Sequence, residues 1–156
     1  MCADSAIALD PNYQLGRNTA GYVAIERGDY DRAVAAFEAA RRLSGDVEAV
    51  NSLAGAALAE ARAGRSQEAR AKLRETESEA KAYSPVAAHT ALFIAQAYAE
   101  LGGVDRAVAW LSRYQPRRSL HFQLHLRCDP PFDPIVHDQR FRSLLTLPAP
   151  LAHRGC

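Results

Sequence analysis

The chain has 156 residues, a length that suits one domain with a continuous core, and its 48% hydrophobic and 24% charged content is that of a folded protein. Nineteen basic and 18 acidic side chains leave a net charge of +1, which supplies no basic face able to displace counterions from nucleic acid; the short RYQPRR at 113–118 reads as a solvated helix end. No apolar run approaches the roughly 20 residues that span a bilayer, MCADSAIALDPNY lacks the basic leader of a secretory signal, and Cys2, Cys128 and Cys156 are too few and scattered for a disulfide framework. The expected setting is a reducing cytoplasm.

In chain order, GYVAIERGDYDRAVAAFEAARRL places Tyr22, Ile25, Val34, Phe37, Ala40 and Leu43 at intervals of three to four residues, the spacing of helical faces. Breaks follow at RGDY (27–30), SGDV (44–47), AGRS (63–66), YSP (83–85) and LGGV (101–104), each with Gly or a Ser/Asp start signal, as a helix end followed by an N-cap requires. Arg27-Gly28-Asp29 spells the tripeptide that matrix proteins present to integrins, but its position between two periodic segments predicts a helix corner. Sustained alternation is absent and β-branched residues are sparse, so the chain is expected to be helical to about residue 126.

RGDYDRAVAAF, AGRSQEARAKL and LGGVDRAVAWL share one pattern: Gly, four residues, Ala, three residues, then a large apolar side chain. Their alanines, Ala33, Ala69 and Ala107, stand 36 and 38 residues apart, close to the period of helix–turn–helix solenoids. The pattern resembles the tetratricopeptide repeat. The first copy fits best, through Gly21, Tyr22, Gly28, Tyr30, Ala33, Phe37 and Ala40; the third fits through Ala95, Tyr98, Gly102, Ala107 and Leu111. The second, with Ala57, Gly64, Ala69 and Leu73, is weaker, and its longer spacing is expected to be an extended helix through ARAKLRETESEAKAY. In the family's register Ala6, Leu9 and Pro11 look like the close of a preceding repeat, so the chain is expected to be a fragment of a longer protein or a late start in its frame.

The segment LHFQLHLRCDPPFDPIVHDQRFRSLL resembles the closing segment of bacterial repeat arrays that end larger signalling proteins, among them kinases, nucleotide cyclases and winged-helix regulators. Val136 and Gln139 depart from that pattern. Phe132, Ile135, Phe141, Leu144 and Leu145 are expected to cover the apolar side of the last repeat, as a solenoid cap must. The resemblance thus implies an all-α, right-handed helical-hairpin solenoid of about three repeats with a C-terminal cap. Its divisions would be a remnant at 1–12, repeats at 13–46, 47–83 and 84–117, a cap at 118–147 and a tail at 148–156.

Catalytic signals are thin. His121, His125 and Cys128 can share a helix face, with His137 or Asp129 as a fourth metal ligand, but no Glu stands where a zinc hydrolase keeps its base. An exposed helix of mixed polarity is the better reading. Asp129, Asp133 and Asp138 lie among Pro130, Pro131 and Pro134, which break calcium-loop spacing; Asp138 is placed to cap a final helix. Phosphate loop, nucleophile elbow and dinucleotide fingerprint are all missing from the sequence. No enzyme, cofactor or metal site is expected.

In the family's register the first helix of each repeat lines a concave face. The residues there would be Leu15, Asn18, Tyr22, Ile25 and Glu26; then Asn51, Ala54, Leu58 and Arg62; then His89, Leu92, Phe93, Gln96 and Glu100. Asn and Gln can pair with a peptide backbone, while Tyr22 and Phe93 offer apolar area. VAAHTALFIAQAYAELG carries no Lys or Arg, which argues against clamping the acidic tails of chaperones. The expected function is a non-catalytic protein- or peptide-binding scaffold within a larger bacterial signalling protein. The alternative is a self-association module using the apolar edge around Ile7, Leu9 and Leu15.

Overall fold

The computed structural model describes residues 2–45, 47–83, 88–113 and 120–145, with backbone only at 2–4, 6, 120 and 121. RYQPRR beyond Arg113, the Ser84-Pro85 part of the YSP break and the PAPLAHRGC tail lie outside the described residues. The elements are α1 (Cys2–Leu9), α2 (Gln14–Glu26), α3 (Tyr30–Leu43), α4 (Val47–Arg62), α5 (Ser66–Ala80), α6 (Ala88–Glu100), α7 (Val104–Arg113), α8 (Leu120–Cys128), a 3₁₀ segment (Pro130–Ile135) and α9 (Gln139–Arg142). Among the described residues there is no strand. Successive pairs α2–α3, α4–α5 and α6–α7 pack as hairpins, and each pair packs on the next through α3–α4 and α4–α6. The architecture is the helical-hairpin solenoid expected from the sequence.

The corners follow one rule. Gly28, Gly64 and Gly102 adopt φ of 73°, 76° and 71°, a left-handed conformation that costs glycine little and other residues more. At each corner the following amide reaches back five residues: Asp29 N–H to Ala24 O, Arg65 N–H to Glu60 O and Gly103 N–H to Tyr98 O, at 2.9, 3.0 and 2.7 Å. Asp29 then caps α3 by accepting from the Arg32 amide at 3.3 Å. The tripeptide at 27–29 is therefore the first of three equivalent corners, two of which lack its sequence.

The two helices of each hairpin differ in burial. α3, α5 and α7 bury one stripe each: Ala33, Phe37 and Ala40; Ala69, Leu73, Thr76 and Ala80; Ala107, Trp110 and Leu111. By contrast α4 is buried continuously over 52–61 and α6 over 90–99, because each has neighbours on both sides, and their many alanines let those neighbours approach. The tightest point is Phe37. A Cβ on Gly21 would lie 2.8 Å from its ring, and one on Gly55 2.6 Å, so the ring fits between α2 and α4 only because both helices lack a side chain there.

One expectation needs adjustment. α5 ends at Ala80, so it is one residue longer than α3, and the extra spacing falls in the connection before α6 rather than in an extended helix. The cap forms as expected: Phe132, Ile135, Phe141 and Leu144 are buried and Leu145 packs partly buried against them. The Phe132 and Phe141 rings lie 5.3 Å apart. Asp138 caps α9 through the amides of Arg140 and Phe141, and the Arg140 guanidinium beside it holds its carboxyl down at about 2. Among the described residues no helix is long and apolar enough to cross a membrane.

Candidate partner-binding face

The first helices of the hairpins, α2, α4 and α6, lie side by side, and the cap closes on α6. On this face three rings from three helices meet. Tyr22 lies 4.6 Å from Phe93 and 6.2 Å from Phe37, and Phe37 lies 6.0 Å from Phe93. Tyr22 is half-buried while the other two are fully covered. Side chains of the first and third hairpins thus touch, with Gly55 of α4 also against Phe37. Burial pushes the Tyr22 phenol above its ordinary value, and the nearby carboxylates of Asp129 and Glu26 push the same way.

The remaining expected residues divide by what they touch. Leu15 is 56% exposed, and Glu26 and His89 are also at the surface. Asn18 is 4% exposed and lies beneath it, with its Oδ1 2.9 Å from Ser52 Oγ of α4 and its Nδ2 without an acceptor among the described residues. Asn51, half-buried, receives the Thr90 hydroxyl of α6 at 3.1 Å. Gln96, buried, donates from Nε2 to Asp129 of the cap. Leu58 and Phe93 are core residues behind the face, as are Ile25, Ala54 and Leu92. Arg62 sits 3.8 Å from Glu100 and 6.0 Å from the Tyr30 ring centre. Burial raises the Glu100 carboxyl, Arg62 opposes that, and Asp133 adds to it.

Sequence reasoning did not find Asp129 as a groove residue. It lies between α8 and the 3₁₀ segment, where its Oδ2 receives Gln96 and stands 2.8 Å from His125 Nδ1. The hydrogen bond to Asp129 raises the His125 pKa, burial opposes the rise, and the carboxylate charge reinforces it. The His/Cys metal candidate dissolves in the same region: His125 is engaged with Asp129, the His121 side chain lies outside the described residues, and Cys128 is disulfide-bonded. The three cysteines read in the sequence as too few and scattered for a disulfide framework, yet Cys128 is in a disulfide. Among the described residues no group of three or more His, Cys, Asp or Glu could hold a metal ion.

The second helices carry a different kind of contact. Asp31 pairs with Arg65 at 2.7 Å, Glu38 with Lys72 at 2.7 Å, and Arg41 with Glu75 and Glu79 at 2.7 Å each. Glu77 of α5 then meets Arg106 and the Trp110 indole N–H of α7, and Asp105 of α7 meets Arg140 of α9. A shallow cavity of about 170 Å³ opens between α3, α4 and α5 over Phe37, Leu53 and Ala56, but two of its rim cations, Arg41 and Lys72, are held in that ladder.

A stack of helical hairpins with a sealed end is the form of a repeat scaffold, a class whose surface is built for contact with other proteins. The family model described as "Tetratricopeptide repeat" matches residues 18–85, so that stretch of the first two hairpins is similar to tetratricopeptide repeats. The third hairpin lies outside the matched stretch but repeats the same glycine corner. No curated protein and no solved structure matches the chain. Repeats of this family generally mediate protein–protein interaction and are typically non-catalytic.

Proposed function

We infer that the protein is a scaffold that binds a protein or peptide segment along the face of α2, α4 and α6, as part of a larger bacterial signalling or regulatory protein. The observation that carries this reading is the half-buried Tyr22, set on a fully packed aromatic floor between surface-exposed Leu15 and Glu26 on one helix face. A rigid ring with one open side is the kind of anchor that concentrates binding energy. The contact residues are Leu15, Tyr22, Glu26, Arg62 and His89, with Asn18, Asn51, Leu58, Phe93 and Gln96 shaping the floor. Peptides selected from a random display library against the full chain test this. Tyr22→Leu and Leu15→Asp should abolish their binding while Arg42→Glu, on the second-helix layer, leaves it intact; the reverse pattern would move the site elsewhere.

A cytoplasmic setting belongs to the same proposal and fits the small number of cysteines, whereas the Cys128 disulfide favours an oxidising one. Thiol titration of protein taken directly from cells separates the two.

One observation favours a second reading. Leu9 is 88% exposed, and Tyr13 and Leu15 lie open near it, an apolar edge suited to a second copy of the chain. A mass from light scattering that stays monomeric with rising concentration would contradict self-association.

A further inference from the structure

The stack is sealed at one end and open at the other. The cap buries Phe132, Ile135 and Phe141 on the α6 side, whereas the outer side of α2 is packed by α1, a helix of eight residues. The three first helices share one register. Nine and five residues before the corner glycine stand Thr19 and Val23 in α2, Gly55 and Ala59 in α4, and Phe93 and Ala97 in α6. In α4 and α6 these positions are buried. They face earlier hairpins: a Cβ on Gly55 would strike the Phe37 ring, and the Phe93 ring lies 4.6 Å from that of Tyr22. In α2 the same positions are open, with Val23 37% exposed and Thr19 exposed beside it. Thr19 and Val23 thus belong to the surface by which this fold stacks one hairpin on another.

We propose that this surface is the contact of a two-fold dimer, in which α2 packs antiparallel on α2 of a second copy with Thr19 at the axis; the proposal rests on the self-association reading above. Leu15, Thr19 and Val23 follow at four-residue steps and form one exposed stripe. A two-fold axis at Thr19 sets Leu15 of each copy against Val23 of the other, so the stripe is complementary to itself. Three features select a second copy. First, α2 has no acidic or basic side chain between Arg17 and Glu26, and the Arg17 guanidinium is held on the Pro11 carbonyl at 2.7 Å, so doubling the stripe brings no like charges together. Second, the Thr19 hydroxyl donates to Leu15 O of its own helix at 2.9 Å, so covering it strands no polar group. Third, the cap closes the opposite end, so the open end of one copy finds a matching stacking surface on the open end of another. The pairing then closes as a dimer instead of running on as a filament.

The test is the mass of the full chain by light scattering over rising concentration, for the wild type, for Leu15→Lys and for Val23→Glu, both at exposed positions. The wild type should reach the mass of a dimer. Each variant alone sets two like charges into the contact and should raise the dimer dissociation constant about tenfold or more. An equal mixture of the two variants should regain the dimer, because one end of the stripe then pairs Lys with Glu and the other keeps Val23 on Leu15. A misfolded variant could not produce that recovery. Variants that dimerise as the wild type does, or a mixture that stays monomeric, would overturn the α2 contact and leave self-association to another surface. A wild type that stays monomeric throughout would overturn the self-association reading, and this contact with it.

Discussion

The two layers of the solenoid join their repeats by different chemistry. Along the second helices the joints are ion pairs, Asp31–Arg65, Glu38–Lys72, Arg41–Glu75 and Asp105–Arg140, each largely at the surface. Along the first helices they are mainly amide and hydroxyl contacts, Asn18–Ser52, Asn51–Thr90 and Gln96–Asp129, partly or wholly buried. Exposed ion pairs contribute little each and tolerate change, whereas buried polar contacts are costly to leave half-made. The first-helix layer therefore holds its shape more strictly. In the proposed reading that rigidity fixes the Tyr22 anchor, while the second layer helps keep the repeats in register.

Phe37 joins the layers, and removing it should have the largest effect. Phe37→Ala is expected to cost about 4 kcal/mol and to loosen the first-helix layer around Gly21 and Gly55, read as a lower denaturant midpoint. Gly64→Val should cost about 1 kcal/mol or more, because its φ of 76° lies where a β-branched side chain is strained; an unchanged melting temperature would count against the corner. Arg41→Ala should cost about 0.5 kcal/mol, less at high salt. A loss several times larger would show that the ion-pair layer carries stability after all.

A pH titration separates the cap from the rest. The folded-state pKa of His125 is raised above 6.5 by Asp129, so its contribution is fully present below pH 6.5 and fades as pH rises through the folded value. The melting temperature of the wild type should fall over that window relative to His125→Gln. Parallel profiles would mean that the contact does not hold the cap.

What was legible in the sequence was local. Gly28, Gly64 and Gly102 announce their corners because only backbone conformation is at stake, and Asp29 and Asp138 announce their caps for the same reason. The apolar spacing of α3 identifies Phe37 as core without any knowledge of its neighbours. What one helix does for the next was not legible. Asn18, Asn51 and Gln96 read as donors for a peptide backbone because their register puts them on the right face. Ser52, Thr90 and Asp129, which engage them, lie 33 to 39 residues further along, and no local rule connects the two. The end of α5 is hidden for a related reason: good helix formers continue through Lys81 and Ala82, whereas the helix stops at Ala80.

The central claim is that partners meet the first-helix layer. Backbone chemical-shift mapping with a peptide from the display selection tests it most directly. The account predicts shifts concentrated at Leu15, Tyr22, Glu26, Arg62 and His89, with α3, α5 and α7 unmoved on their outer sides. Shifts centred instead on Arg41, Arg42 and Lys72 would contradict it.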